Sequence, residues 1–290
     1  MYGWGKMKED TSFRRSEKKF IVLEHSFEEI IEELEKHIPF DSFHSEIPIL
    51  QIETIYMEDS NFTIFREYLS RRKFRFKIRF RRYGRNGVFN ENELWAEMKI
   101  KQKSISYKKR FKLTTELFTP FISGEDIFEK VSQLNKGFKD LKKIFILAQE
   151  LIKSNDLKPT LITSYERVAF QSKNKNIRIT VDKNITHKSY HKQSKERKLK
   201  AIVLESKISG KVPKWYKAEE NKLALLPQRR FSKYATGINS IFFPDRGMYN
   251  FYTNFAETKI MGEQIYNSLK LIEQSLNLKK PMKIKKKKED

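Results

Sequence analysis

Cysteine is absent from the 290 residues. That excludes disulfide staples, thiolate metal sites and cysteine nucleophiles, and it fits a reducing compartment. Histidine is scarce, and His25, His37, His44, His187 and His191 show no metal-ligand spacing. Solvent-facing or capping positions are expected for each. No stretch approaches the ~20 apolar residues of a membrane span, and no apolar signal core follows the N-terminus, so a cytoplasmic protein without a span of its own is expected. Pro/Gly/Ser-rich linkers and internal repeats are missing too. One domain over residues 13–277 is expected, between a loose leader at 1–12 and a basic tail at 278–290.

Negative charge is also in short supply. Sixty Lys and Arg face 37 Asp and Glu, a formal net charge of +23. The partner should be anionic, and nucleic acid, an anionic membrane surface and phosphate-rich small molecules all satisfy that condition.

What is present is patterning. Ser26-Phe27-Glu28-Glu29 opens like a capping box and predicts a helix to about His37. Helical spacing of apolar residues predicts a longer helix from Glu125 to Asn155 and another from Glu257 to Leu276. A short one is expected over 60–70.

Strands carry the argument. From Phe74 to Arg81 every even position is apolar and every odd one is basic. Glu97, Lys99 and Lys101 alternate with Ala96, Met98 and Ile100; Ser106, Lys108, Arg110 and Lys112 alternate with apolar residues, interrupted by Lys109. The device returns at Arg178, Thr180 and Asp182, at Glu205 and Lys207, and at Arg15, Glu17 and Lys19. Each strand has one greasy and one charged face. Like charges on neighbouring strands repel, so a face this rich in cations calls for a dense counter-anion. If the strands close into a barrel, the charged faces line its interior. Arg then supplies two-pronged contacts to phosphate oxygens and Lys supplies point charges. The few acids there, Glu17, Glu97 and Glu205, either neutralise a neighbour or ligate Mg²⁺ or Mn²⁺.

Ten motifs in order resemble the VTC domain, the catalytic part of the vacuolar transporter chaperone polyphosphate polymerase, a triphosphate tunnel metalloenzyme. They include Arg15-Ser16-Glu17-Lys18-Lys19-Phe20, Lys77-Ile78-Arg79-Phe80-Arg81, Glu97-Met98-Lys99, Lys108-Lys109-Arg110-Phe111, Tyr165-Glu166-Arg167, Arg178-Ile179-Thr180-Val181-Asp182, Leu204-Glu205-Ser206-Lys207 and Phe231-Ser232-Lys233-Tyr234. The resemblance implies an α+β fold, an antiparallel closed β-barrel or triphosphate tunnel with helices packed outside. It implies a polymerase moving the γ-phosphate of ATP onto a growing polyphosphate chain with Mn²⁺ or Mg²⁺. By the same resemblance Lys19, Arg79, Arg81, Lys99, Lys108, Arg167, Arg178 and Lys233 hold phosphates, Tyr165 and Ser232 assist, and Glu205 ligates the metal. Lys19, Arg79, Arg81, Lys99, Arg167 and Arg178 form the catalytic set.

The chain shows none of the transmembrane region attached to the vacuolar enzymes, so coupling to translocation would need a separate membrane partner. The basic stretch at 183–200 is expected as a solvated loop, with a polyanion guide as the alternative. Two other functions remain: a hydrolase of triphosphate or nucleoside triphosphates on the same fold, and a non-catalytic binder of polyphosphate or nucleic acid. Nucleic acid is disfavoured, because no standard motif appears and Phe76, Ile78 and Phe80 fall on the apolar parity.

Overall fold

A computed structural model describes residues 15–22, 26–41, 49–102, 105–191, 196–223, 225, 227 and 231–244. The expected leader, basic tail and helix at 257–276 lie outside the described residues, as do His25 and His44.

Nine strands form one antiparallel sheet: β1 (Arg15–Val22), β2 (Leu50–Glu58), β3 (Phe74–Arg85), β4 (Val88–Gln102), β5 (Ile105–Leu113), β6 (Lys158–Gln171), β7 (Ile177–Ser189), β8 (Arg197–Lys198) and β9 (Ile202–Ser209). The order is β1-β9-β7-β6-β2-β3-β4-β5, with β8 paired to β7 beside the path. The closed barrel expected from the sequence is therefore not formed. No ladder joins the two end strands, β1 and β5, among the described residues, because other parts of the chain engage their edges. Phe20 of β1 bridges to Pro227. On β5, Asn135 accepts from the Lys112 amide at 2.8 Å and donates to the Lys112 carbonyl at 2.8 Å. An edge so engaged is withdrawn from strand pairing. The sheet nevertheless curls, since Lys19 of β1 and Lys99 and Lys108 of β4 and β5 line one cavity.

The parity read from the sequence sets the two faces. Phe76, Ile78, Phe80, Ala96, Met98, Phe111 and Leu113 are buried on the apolar side. Over this wing pack α3 (Phe118–Ile122), α4 (Phe128–Leu134) and α5 (Leu141–Ser154), with Phe121 and Phe145 edge to face at 5.2 Å. Over the other wing, Phe20, Phe170, Ile179, Val181, Leu204 and Ile208 meet α1 (Phe27–Glu35) and α6 (Lys214–Lys222). The Ser26 capping box is present at the start of α1. The short helix expected over 60–70 is present as α2 (Thr63–Leu69).

Two other expectations change. The single helix over 125–155 is two helices, because Asn135 ends α4 by turning its amide to the Val131 carbonyl and the β5 edge, and Gly137 follows at φ +81°. That left-handed backbone favours glycine and breaks the helix. The basic stretch at 183–200 is not a solvated loop throughout. Its first part continues β7 to Ser189 with Ile185 and His187 buried, and Arg197–Lys198 pairs back on it.

Candidate functional site

Three strands build the cationic wall of the site. Register sets Arg79 opposite Glu97 and Glu97 opposite Arg110; the adjacent rung is Lys77, Lys99 and Lys108, and the next begins Arg75, Lys101. Along a strand these residues sit two apart, on one face. With Lys19 of β1 they bring Lys77, Arg79, Lys99, Lys101, Lys108 and the acid Glu97 around a cavity of about 320 Å³, whose lining also includes Ser232, Tyr56, Tyr68 and Tyr234. The volume lies at the low end of small-molecule sites, which suits a short run of phosphates and not a folded nucleic acid.

Glu97 organises this wall. It is almost fully buried and binds Arg79 at 2.6 Å and Lys108 at 2.7 Å, with Arg81 at 3.8 Å. Burial alone would raise its carboxyl, but the three cations pull it down to about 2. It is thus a spacer that holds cations in position. Arg81 lies deeper, its Nε donating to Thr54 at 3.1 Å.

A second cluster continues the polar face across β6, β7 and β9. Arg167 grips Asp182 through two bonds of 2.6 and 2.8 Å, and Lys233 reaches the same carboxylate at 2.5 Å. Tyr165 sits beneath both cations, 5.2 Å from the Arg167 guanidinium and 4.9 Å from the Lys233 ammonium. Arg167 and Arg81 hold its phenol below the ordinary tyrosine range, against the effect of burial. Arg178 pairs with Asp41 at 3.3 Å, and like Arg81, Tyr165, Arg167, Lys233 and Glu205 it is not among the cavity-lining residues.

Glu205 stands opposite both Lys19 and Thr180, binds Lys207 at 2.5 Å and lies 3.9 Å from Lys19. Burial would raise its carboxyl, yet Lys19, Lys207 and Arg167 hold it at about 2. Among the described residues no group of three or more His, Asp or Glu could hold a metal by itself. A lone ionised carboxylate beside a phosphate cavity does fit a hard divalent ion that takes its remaining oxygens from phosphate and water. Glu17, the third acid considered, is largely exposed and lies 3.5 Å from Lys19.

Sequence reasoning missed the element that closes the site. Helix α7 (Lys233–Phe242) carries no charge pattern, yet it packs on the polar face, with Tyr234 against Tyr56 at 5.1 Å and Gly237 against His187 and Leu161. His187, expected at the surface, is 2% exposed, and its Nδ1 lies 3.0 Å from the Thr163 hydroxyl. Burial and Lys233 lower it to about 4, so the ring is neutral. His37, also expected in solvent or at a cap, stacks on Trp215 and meets Glu219 at 3.2 Å. At the start of α7 the Tyr234 hydroxyl donates to the buried carboxyl of Glu58, which also accepts from the Phe65 amide at 2.7 Å. That anchor places Ser232 and Lys233 at the site.

The curled antiparallel sheet thus sets a cationic wall against a small cavity, with an ionised carboxylate nearby. The chain belongs to the VTC domain family, whose model matches residues 14–242, most of its length. Membership implies a polyphosphate-related function. Among curated proteins none matches the chain. No helix among the described residues is long and apolar enough to cross a membrane.

Proposed function

We propose that the protein is a metal-dependent polyphosphate polymerase, transferring the γ-phosphate of ATP to the end of an inorganic polyphosphate chain bound in the basic cavity. The observation that carries this reading is the rung Lys77, Lys99, Lys108, three adjacent cations with no acid between them, beside Lys19 and Arg79. Like charges on neighbouring strands repel, so anionic oxygens against such a wall are favoured.

In the transfer, a terminal oxygen of the acceptor chain forms a bond to the γ-phosphorus as the bond to the β-phosphate oxygen breaks, leaving ADP. This chemistry depends on positioning and charge neutralisation more than on a nucleophilic side chain. Lys19, Arg79, Lys99 and Lys108 neutralise the phosphates, Ser232 donates a hydroxyl hydrogen bond, and Glu97 keeps Arg79 and Lys108 aimed. Arg81, Arg167, Tyr165 and Lys233 extend the same polar face, along which a longer chain can lie; Arg178 joins them only by leaving Asp41. Mn²⁺ or Mg²⁺ held by Glu205 supplies further neutralisation of the transferred group.

Purified protein incubated with ATP and Mn²⁺ should yield products that stain as a polyphosphate ladder on a gel. Release of orthophosphate alone would replace this reading with a triphosphate hydrolase built on the same cavity. ATP and polyphosphate are the partners that the cavity supports.

A further inference from the structure

Lys77 is the one lining lysine of β3, and it is held differently from its neighbours. Lys108 turns to Glu97 at 2.7 Å and Lys19 lies within 4 Å of both Glu17 and Glu205. Among the described residues no carboxylate comes within ion-pair distance of Lys77. Its ammonium instead sits over two aromatic faces, 4.1 Å from the Tyr68 ring and 4.0 Å from the Tyr234 ring. Ring faces steady a cation without supplying a formal negative charge, so the ammonium keeps donor capacity on its cavity side for oxygen ligands. The two rings come from α2 and α7, and Glu58 holds the Tyr234 hydroxyl. The lysine is thus positioned from three sides and points into the cavity.

We propose that Lys77 is a further phosphate-contacting residue of this cavity, and that substrate phosphates supply the negative partner its surroundings withhold. The proposal rests on the phosphate-site reading given above.

Burial, Lys99, Arg79 and Lys19 all push the Lys77 amine well below the ordinary lysine range, and Glu58 alone opposes them. Tyr68 and Tyr234 face it with their rings. A phosphate bound beside it favours the charged form.

The probe is inorganic tripolyphosphate, titrated calorimetrically into the protein at about pH 8. Lys77→Met, which keeps a flexible chain between the rings, should weaken binding roughly tenfold or more, the scale of one charged hydrogen bond. Lys77→Arg, which keeps the charge, should hold affinity within about threefold. Melting curves without ligand check that each variant folds. If Lys77→Met binds as tightly as the wild type while Arg79→Met does not, the cavity reading stands and the Lys77 role falls. A Lys77→Arg variant that binds as weakly as Lys77→Met overturns the role of the charge as well. A wild type that fails to bind tripolyphosphate overturns both.

Discussion

Arg167 and Asp182 stand directly opposite each other on β6 and β7 and close a two-pronged ion pair of 2.6 and 2.8 Å, with the carboxylate fully buried. Lys233 adds a second cation to the same group. One acid therefore anchors two residues that the family resemblance assigns to phosphate. Asp182→Asn keeps the shape but removes the charge, leaving two cations without their counter-ion. Breaking a buried pair in this way costs about 3–5 kcal/mol. Urea denaturation should show a loss on that scale; a change below about 0.5 kcal/mol would mean that the pair contributes nothing net.

Glu205 separates metal-dependent catalysis from anion binding. Glu205→Gln removes an ionised carboxylate held at about 2 amid Lys19, Lys207 and Arg167. Turnover of ATP with Mn²⁺ should fall at least about a hundredfold, while tripolyphosphate binding without metal stays level or tightens because one repelling charge is gone. Kinetics and calorimetry on the same preparation check both halves. Unchanged turnover would remove Glu205 from the metal site.

Glu67, on α2, is buried, and neither carboxylate oxygen has a hydrogen-bond partner among the described residues. Burial raises its carboxyl to about 7, with Asp59 adding to the effect and Arg72 and Arg75 opposing it. The folded state thus holds this proton more tightly than the unfolded chain. Its contribution to stability is full below about pH 4.5 and is lost as pH rises towards 7, by up to about 3 kcal/mol. Glu67→Gln should flatten that decline in melting temperature between pH 5 and 7. A variant with the wild-type slope would show that Glu67 does not titrate there.

Gly237 tests the docking of α7. A Cβ at this position would come 2.7 Å from His187 Nδ1 and 2.7 Å from Leu161 Cδ2. Gly237→Ala should cost about 1–3 kcal/mol through overpacking, despite the better helix propensity of alanine. Because Ser232 and Lys233 begin the displaced helix, tripolyphosphate affinity should fall with it. A variant at least as stable as the wild type would mean that α7 is free to shift at no cost.

How far the sequence reveals this arrangement varies with position. β3, β4 and β5 are legible because one face is apolar and the other charged, and the observed register puts Lys77, Lys99 and Lys108 in line as alternation requires. β2 and the first half of β6 are not. Ile52, Thr54 and Tyr56 face Tyr165, Thr163 and Leu161 on the polar side, yet all six are buried, so burial alternates there without a charged face to mark it. Closure of the sheet could not be read from parity, which sets what faces inward but not whether the end strands meet. Asn135 on the β5 edge is a contact between residues 23 apart with no pattern around it. The burial of His187 was equally hidden, because it depends on Gly237 arriving from α7.

The central claim concerns chain growth, and phosphorus NMR of the reaction follows it directly. With ATP, Mn²⁺ and the wild-type protein, the account predicts that signals of internal phosphates grow as ATP is converted to ADP, with little orthophosphate. Orthophosphate appearing in step with ADP, and no internal-phosphate signal, would contradict it.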